Sequence, residues 1–486
     1  MRLKTISRVV GLILGCMGLS ILLPVGCGLY YGETAVIFRL LEAVAIIVGI
    51  GFALHYAGRG GRHDEDLSHR EGLAVVGIGW MIGCLAGALQ YLMTGALDNV
   101  PDAVFESVSG FTTTGATIFN DVEILPKSIL LWRTLTHWLG GMGIIVLFLA
   151  ILPFLGVGGM QLYLSEMSGP MGDKLKPRIK DTSIALWRIY LFLTLILLGL
   201  LLLGGMDFFN AVCHTFSTIA SGGFSNWNSS MAHHASPFIQ WVLIIFMYLT
   251  GISYALHYHM FKGRRRHVLK DRELRLYTLT LIASAVIISV YVHLYHNTRG
   301  DVEISLRSAL FHVTSLASTT GFVTTDYSAW HGLPQFLLLL LMFIGGCGGS
   351  TSGGFKFMRV LLLLKGAYQE LFRIVHPRAV RRMKLGSTIV QQDVLLAVSR
   401  YLVIYLSLFV VFSLIMASME LDLATVLSSV IACLSCVGPG FGIVGPVESY
   451  ASMPDAAKCV LSLAMLLGRL ETYAILLLFM PEFWRK

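Results

Sequence analysis

Four short stretches of this sequence set small residues ahead of a glycine: Phe111-Thr112-Thr113-Thr114-Gly115, Thr218-Ile219-Ala220-Ser221-Gly222, Ala317-Ser318-Thr319-Thr320-Gly321 and Leu434-Ser435-Cys436-Val437-Gly438. The chemistry they offer is ligation by backbone. An extended Ser/Thr-rich segment can aim carbonyl oxygens one way, as substitutes for an ion's water shell. Glycine at the turn accepts φ > 0 and admits an ion close to the chain. None of the four contains a carboxylate, which suits a monovalent, weakly hydrated cation better than calcium. The first and third stretches agree best, pairing Phe105 with Phe311, Ser109 with Ser315, and Thr113-Thr114-Gly115 with Thr319-Thr320-Gly321. The second and fourth are placed by their glycines, Gly222 and Gly438.

A second stretch, Gly345-Gly346-Cys347-Gly348-Gly349-Ser350-Thr351-Ser352-Gly353-Gly354, interrupts an apolar segment at 334–366. Its glycine density opposes a continuous helix. Two half-spans joined by a flexible loop are expected, with the loop below the third glycine segment, where it can obstruct a pore. Arg469 and Glu471 lie inside the last apolar segment, and ions at such depth pair or face a polar cavity. Arg469 either repels cations in a pore and donates to carbonyls of the 345–354 loop, or pairs with Glu471 as structure. Lys356 and Arg359 are expected near the cytoplasmic surface.

These residues need a membrane scaffold. Of 486 residues, 55% are hydrophobic and 13% charged, against about 25% charged in a soluble domain. That leaves too little polar surface for a string of globules in water. Spanning the hydrocarbon core takes about 20 residues, and apolar segments recur at 8–31, 35–57, 72–94, 128–157, 184–206, 236–261, 276–295, 334–366, 391–417 and 456–480. Ten helical spans are expected. Every second connection is basic, at Arg59, Arg62 and Arg70, at Lys174–Lys180, at Lys262–Arg272 and at Arg373–Lys384, which puts both termini in the cytoplasm. The glycine stretches then lie outside, each after a half-helix, at 101–112, 208–219, 304–317 and 422–434. The fold class expected is all-α integral membrane, with four pseudo-symmetric span–half-helix–loop–span repeats (71–180, 181–272, 273–385 and 386–486) after an N-terminal hairpin at 1–70.

Other signals carry less. The eight cysteines read as small buried hydrophobes, and Cys433-x-x-Cys436 has no second pair for zinc. Gly440-Phe-Gly442-Ile-Val-Gly445 matches a dinucleotide pattern without its strand–helix context. An intramembrane serine hydrolase built on the 350–352 region with His312 or His214 lacks any spacing that supplies a base and an oxyanion hole. His233-His234 and His257-x-His259 read as interfacial, and Trp132, Trp138, Trp241 and Trp484 as an interfacial belt. The basic 262–275 loop serves lipid contact or, with 174–180 and 373–384, docking of a cytosolic regulator. The net charge of +8 sits in these loops and points to membrane lipid, not nucleic acid.

The span–loop–span repeats, Ser109-Gly-Phe-Thr-Thr-Thr-Gly115-Ala, Ser315-Leu-Ala-Ser-Thr-Thr-Gly321-Phe and the ending Gly468-Arg-Leu-Glu471 resemble the superfamily of Trk, Ktr and HKT potassium transporters, its Trk members above all. The resemblance implies potassium uptake into the cell and no catalytic residues. It implies a filter of Thr112, Thr113, Thr114 and Gly115; Ile219, Ala220, Ser221 and Gly222; Ser318, Thr319, Thr320 and Gly321; Ser435, Cys436, Val437 and Gly438. The gate it implies comprises Gly345, Gly346, Gly348, Gly349, Ser350, Thr351, Ser352, Gly353 and Gly354 with the pore arginine Arg469. It further implies a homodimer in the bacterial cytoplasmic membrane, a cytosolic nucleotide-binding regulator resembling TrkA, and no cofactor in this chain, with potassium as substrate. Ile219-Ala-Ser221 and Ser435-Cys-Val437 depart from the threonine-rich pattern. Proton- or sodium-coupled symport stays open beside a channel; the intramembrane hydrolase is the reading from another class, and a receptor or scaffold without permeation is the third.

Overall fold

A computed structural model describes residues 1–59, 68–151, 179–295, 301–330, 332–378, 383–385 and 388–485. Arg62, Lys174, Lys176, Arg178, Arg381 and Arg382, and the end of the expected fourth span, lie outside the described residues. Among the described residues, six helices are long and apolar enough to cross a membrane, and eight when two sharply bent pairs count as one span each. Leu3–Tyr31 and Thr34–Ala57 form the N-terminal hairpin. They cross at glycine: a Cβ on Gly11 would run into the Gly51 carbonyl and the His55 backbone, so the small residues let the two backbones meet. Arg2 holds the hairpin to the next helix, its Nη2 2.8 Å from Glu71 Oε2.

The rest of the chain repeats one pattern four times. A long helix (His69–Met93, Ile179–Leu203, Arg272–Tyr295, Gln392–Ala417) leads to a short half-helix (Val100–Phe111, Phe208–Ile219, Val302–Ala317, Leu423–Leu434), an irregular loop and a second helix. The half-helices fall within two residues of the positions read from sequence. Three are started by aspartate: Asp207, Asp301 and Asp422 accept from the backbone N–H groups of Asn210, of Glu303 and Ile304, and of Thr425. An N-cap of this kind is worth about 1 kcal/mol, and it fixes which end of each half-helix is solvated. The opposite ends are buried.

The second helices differ between repeats. Lys127–Ile151 is continuous. In the third repeat Leu333–Ile344 and Phe357–Val375 flank the glycine-rich stretch, the interruption expected from sequence. Two further breaks were not expected. Pro237–Thr250 and Tyr254–Phe261 meet at 100°, and Asp455–Arg469 and Tyr473–Phe479 at 114°. The first break is held by the glycine-rich loop: Cys347 N donates to Gly251 O at 2.9 Å and Tyr254 N to Gly349 O at 3.0 Å. Backbone groups released by a break at membrane depth need such partners. A two-stranded ribbon pairs Lys384–Leu385 with Thr388–Ile389. Trp132, read as interfacial, is buried against Phe111.

Gly51→Val is expected to lower the thermal midpoint of the detergent-solubilised protein, because its side chain meets Gly11 and Gly15 backbone. Gly49→Val, whose side chain meets open space, should leave the midpoint near wild type.

Candidate functional site

All four half-helices end alike. Each is followed by one residue in αR, then a residue with φ near 55°, then another residue, then a glycine with positive φ. The second position is Thr113, Ser221, Thr319 and Cys436, at 53°, 57°, 57° and 55°. The glycine is Gly115, Gly223, Gly321 and Gly438, at 81°, 81°, 80° and 98°. Matching hydrogen bonds run from Thr114 N to Ser109 O, Gly222 N to Ser217 O, Thr320 N to Ser315 O and Val437 N to Ala432 O, at 2.8–2.9 Å. A non-glycine residue in αL costs about 1–3 kcal/mol and survives only where its surroundings dictate it. Four such residues at equivalent places mark a site built for its backbone.

This register corrects the second stretch by one residue. Gly223, not Gly222, stands where Gly115 stands; Gly222 occupies the place of Thr114, and Ile219 is the last helical residue. Two adjacent glycines made the anchor ambiguous. The capping residues would have resolved it, since Gly115, Gly223 and Gly438 each lie 16 residues after the N-caps Asn99, Asp207 and Asp422. Gly321 lies 20 after Asp301, because its half-helix has 16 residues instead of 12.

The four glycines close a ring. A Cβ on Gly115 would overlap the Gly222 carbonyl oxygen, one on Gly223 the Thr320 oxygen, one on Gly321 the Val437 oxygen, and one on Gly438 the Thr114 oxygen. Each loop thus presses its glycine on the next loop's carbonyl, and the fourth returns to the first. All four glycines line one cavity of about 300 Å³ with Ala116, Thr117, Phe224 and Tyr450. The half-helix C-termini that converge here bring the negative ends of their dipoles. Thr113 Oγ1 is buried without a hydrogen-bond partner, whereas Thr112 and Thr114, and Ser318 and Thr320, pair their hydroxyls at 2.8 Å.

On the half-helix side of the ring lies the glycine-rich loop, buried apart from a half-exposed Gly349. It touches three of the four segments. Ser221 Oγ is 2.9 Å from Thr351 Oγ1, Gly353 N donates to Thr319 Oγ1 at 2.8 Å, and a Cβ on Gly353 would overlap the Ser435 carbonyl. Arg469 completes the layer, its Nη1 donating to Thr351 O at 2.6 Å and its Nη2 to Gly140 O at 3.3 Å. Of the two contacts expected of Arg469, donation to a loop carbonyl, Thr351 O, is the one observed. Glu471 pairs instead with Arg359. Lys356 and Arg359, expected near the surface, are buried: Lys356 donates to Ser352 O and Arg359 Nη1 to Phe355 O at 3.2 Å. Breaking the last helix after Arg469 makes this possible, because Glu471 and Thr472, both with positive φ, turn the carboxylate back toward the third repeat.

Sequence reasoning passed over Glu273. It is buried, and its Oε1 accepts from Gly348 N at 2.7 Å and Met358 N at 2.9 Å. One carboxylate therefore pins the loop and caps the half-span that follows it. Nothing in the local pattern distinguishes it from the basic run around it, so only the fold could find it. Of the eight cysteines read as buried hydrophobes, Cys84, Cys213, Cys347, Cys433 and Cys436 are buried, Cys27 is half-buried, and Cys16 and Cys459 are exposed on the helix surface.

Apolar helices long enough to cross a membrane, with half-helices converging on a ring of glycines backed by a buried loop and a buried arginine, define a multi-pass membrane protein with re-entrant loops. Residues 62–486 match the family model TrkH, described as a cation transport protein. The chain is 39% identical over 495 residues to the Trk system potassium uptake protein TrkH of Salmonella typhimurium and to that of Escherichia coli K12, with all of both chains covered. It is 35% identical to TrkG of Escherichia coli K12 over 99% of each chain. It matches the crystal structure of the potassium transporter TrkH from Vibrio parahaemolyticus with a TM-score of 0.91 at 36% identity, all of both chains being covered. The chain belongs to the TrkH family, a family of transporters and not of enzymes.

Glu273→Ala leaves two buried N–H groups without an acceptor, a loss of about 1–3 kcal/mol for each. Hydrogen exchange at residues 346–358 should quicken relative to wild type; unchanged exchange would show that the carboxylate does not hold the loop.

Proposed function

We propose that this protein conducts potassium into the cell through the ring of glycine segments, with the 345–354 loop and Arg469 as its gate. The single observation that carries this reading is the closed cycle of glycine–carbonyl contacts. It sets carbonyls from four repeats around one axis with no carboxylate among them, the donor set for a dehydrated alkali ion. The filter in its structural register is Thr112–Gly115, Ala220–Gly223, Ser318–Gly321 and Ser435–Gly438. Arg469 suits the gate because its charge lies just past the ring. Two unit charges 4 Å apart repel by about 4 kcal/mol at an effective dielectric of 20, roughly three decades of occupancy. An open state then needs the loop and the guanidinium displaced together, since the Thr351 carbonyl joins them. The same reading places the chain in the bacterial inner membrane with both termini cytoplasmic. It also carries a homodimer and a regulator resembling TrkA docked on the basic cytoplasmic loops.

Potassium flux into proteoliposomes at clamped voltage, with and without a pH or sodium gradient, tests the reading. Flux that follows voltage and potassium alone supports conduction, flux that needs the second gradient supports symport, and no flux contradicts both. Gly115→Ser should displace the Gly222 carbonyl and raise sodium relative to potassium permeation in the same assay. Arg469→Ala, or deletion within 346–353, should raise flux several-fold in correctly inserted protein; normal or lower flux would remove the gate.

A further inference from the structure

At the mouth of the ring, outside everything assigned so far, stands a buried ion pair. Glu106 lies in the first half-helix and Arg133 on the helix after it, with side chains 0% and 1% exposed and Arg133 Nε 2.8 Å from Glu106 Oε1. Both spend their remaining bonds on the chain leaving the filter. Glu106 Oε2 accepts from Ile118 N at 2.9 Å and from the Thr117 hydroxyl at 3.2 Å. Arg133 Nη2 donates to Thr117 Oγ1 at 3.1 Å, and Nη1 reaches into the second loop to donate to Ser225 O at 3.2 Å. The Phe224 ring, next to Gly223, lies 4.2 Å from the guanidinium carbon. Arg133 also lines the cavity that the four glycines share.

The other repeats solve the same task without a charge. The residue nine positions before each filter glycine is Glu106, His214, His312 or Ser429. His214 reaches Ser225 Oγ at 3.1 Å and His312 reaches Thr325 O at 3.1 Å, each within its own loop. In the fourth repeat the neighbouring Ser428 accepts from Phe441 N at 2.9 Å. At the remaining boundaries the loops themselves are joined by neutral bonds, Met231 N to Val323 O, Tyr327 OH to Gly440 O and Tyr450 N to Thr117 O; away from the loops, Arg307 of the third half-helix donates to Gln240 and Lys458 pairs with Asp102 of the first. Among the described residues, the boundary between the first and second segments is the one bridged by a buried charged fork.

We propose that Glu106 and Arg133 form a specificity-determining strut. It fixes the spacing of the first two filter segments and neutralises the guanidinium, so that an entering cation meets no net charge. The inference rests on the potassium reading above. Its basis is geometric: a guanidinium presents a rigid fork to three acceptors at once, which a lysine cannot reproduce. Breaking a buried pair also leaves an uncompensated charge, here one that faces the entry cavity.

The test compares potassium and sodium flux in proteoliposomes for Arg133→Lys, Glu106→Gln and the double variant Glu106→Gln/Arg133→Gln. Each is first checked for membrane insertion and monodisperse elution. Arg133→Lys keeps the charge and loses the fork; the potassium-to-sodium ratio should fall about tenfold, equivalent to ~1.4 kcal/mol. Glu106→Gln leaves the guanidinium unpaired and should raise the apparent KM for potassium more than it lowers the maximal rate. The double variant should recover KM but not selectivity. Should Glu106→Gln fail to insert, Glu106→Asp, with its shorter reach, is scored on the same ratio. A wild-type ratio in Arg133→Lys, or an unchanged KM in Glu106→Gln, overturns the strut. Absence of potassium flux in the wild type would defeat the potassium reading itself, before any variant is compared.

Discussion

The site depends on one close approach: a glycine of each repeat lies against the carbonyl oxygen that the next repeat sets before its own glycine. A side chain at any of Gly115, Gly223, Gly321 or Gly438 would occupy the space of that oxygen. The cycle sets the spacing of four loops by backbone contact, with a positive φ at all four glycines. Irregular backbone is tolerated at membrane depth only where protein or a cavity satisfies it. In the ring each of these carbonyls packs against a glycine, and the four glycines line the cavity.

The strain of that backbone is offset by its supports. Thr113, Ser221, Thr319 and Cys436 sit in αL, each pinned by an N–H bond back into its own half-helix. Gly140 and Gly468 admit the second helices of the first and fourth repeats against the carbonyls that end their half-helices, at Phe111 and Leu434. The residue after Gly468 is Arg469, and the residue after Gly140 is Gly141. Pseudo-symmetry therefore places a buried charge on one side of the axis where its counterpart has none. The glycine-rich loop extends the asymmetry: it grows from the third repeat alone, yet bonds to the second, third and fourth. Its own broken backbone and that of the second repeat's bent helix satisfy each other through Cys347, Gly349, Gly251 and Tyr254.

Much of this was legible in the sequence, for reasons that differ by level. Spans are visible because a membrane crossing needs an uninterrupted apolar run. Half-helices are visible as short stretches ahead of each glycine segment, and the caps Asp207, Asp301 and Asp422 that start three of them emerge only in the structure. The glycine-rich break at 345–354 announces itself by composition. The bends after Thr250 and after Arg469 do not, because their flanks are as apolar as any span and their cause lies in tertiary partners. Local similarity cannot rank the adjacent glycines Gly222 and Gly223. Lys356 and Arg359 looked superficial because basic residues after a span usually are; Ser352 O, Phe355 O and Glu471 draw them inward. Glu106, Arg133 and Glu273 carry meaning only through residues 11 to 92 positions away, a separation that no local pattern encodes.

The most direct measurement is the anomalous scattering of thallium, a heavy stand-in for potassium, in crystals of this protein. The account predicts density on the axis, ringed by the carbonyls of Thr114, Gly222, Thr320 and Val437. Thallium found only away from those oxygens, with the ring empty at saturating concentration, would contradict it.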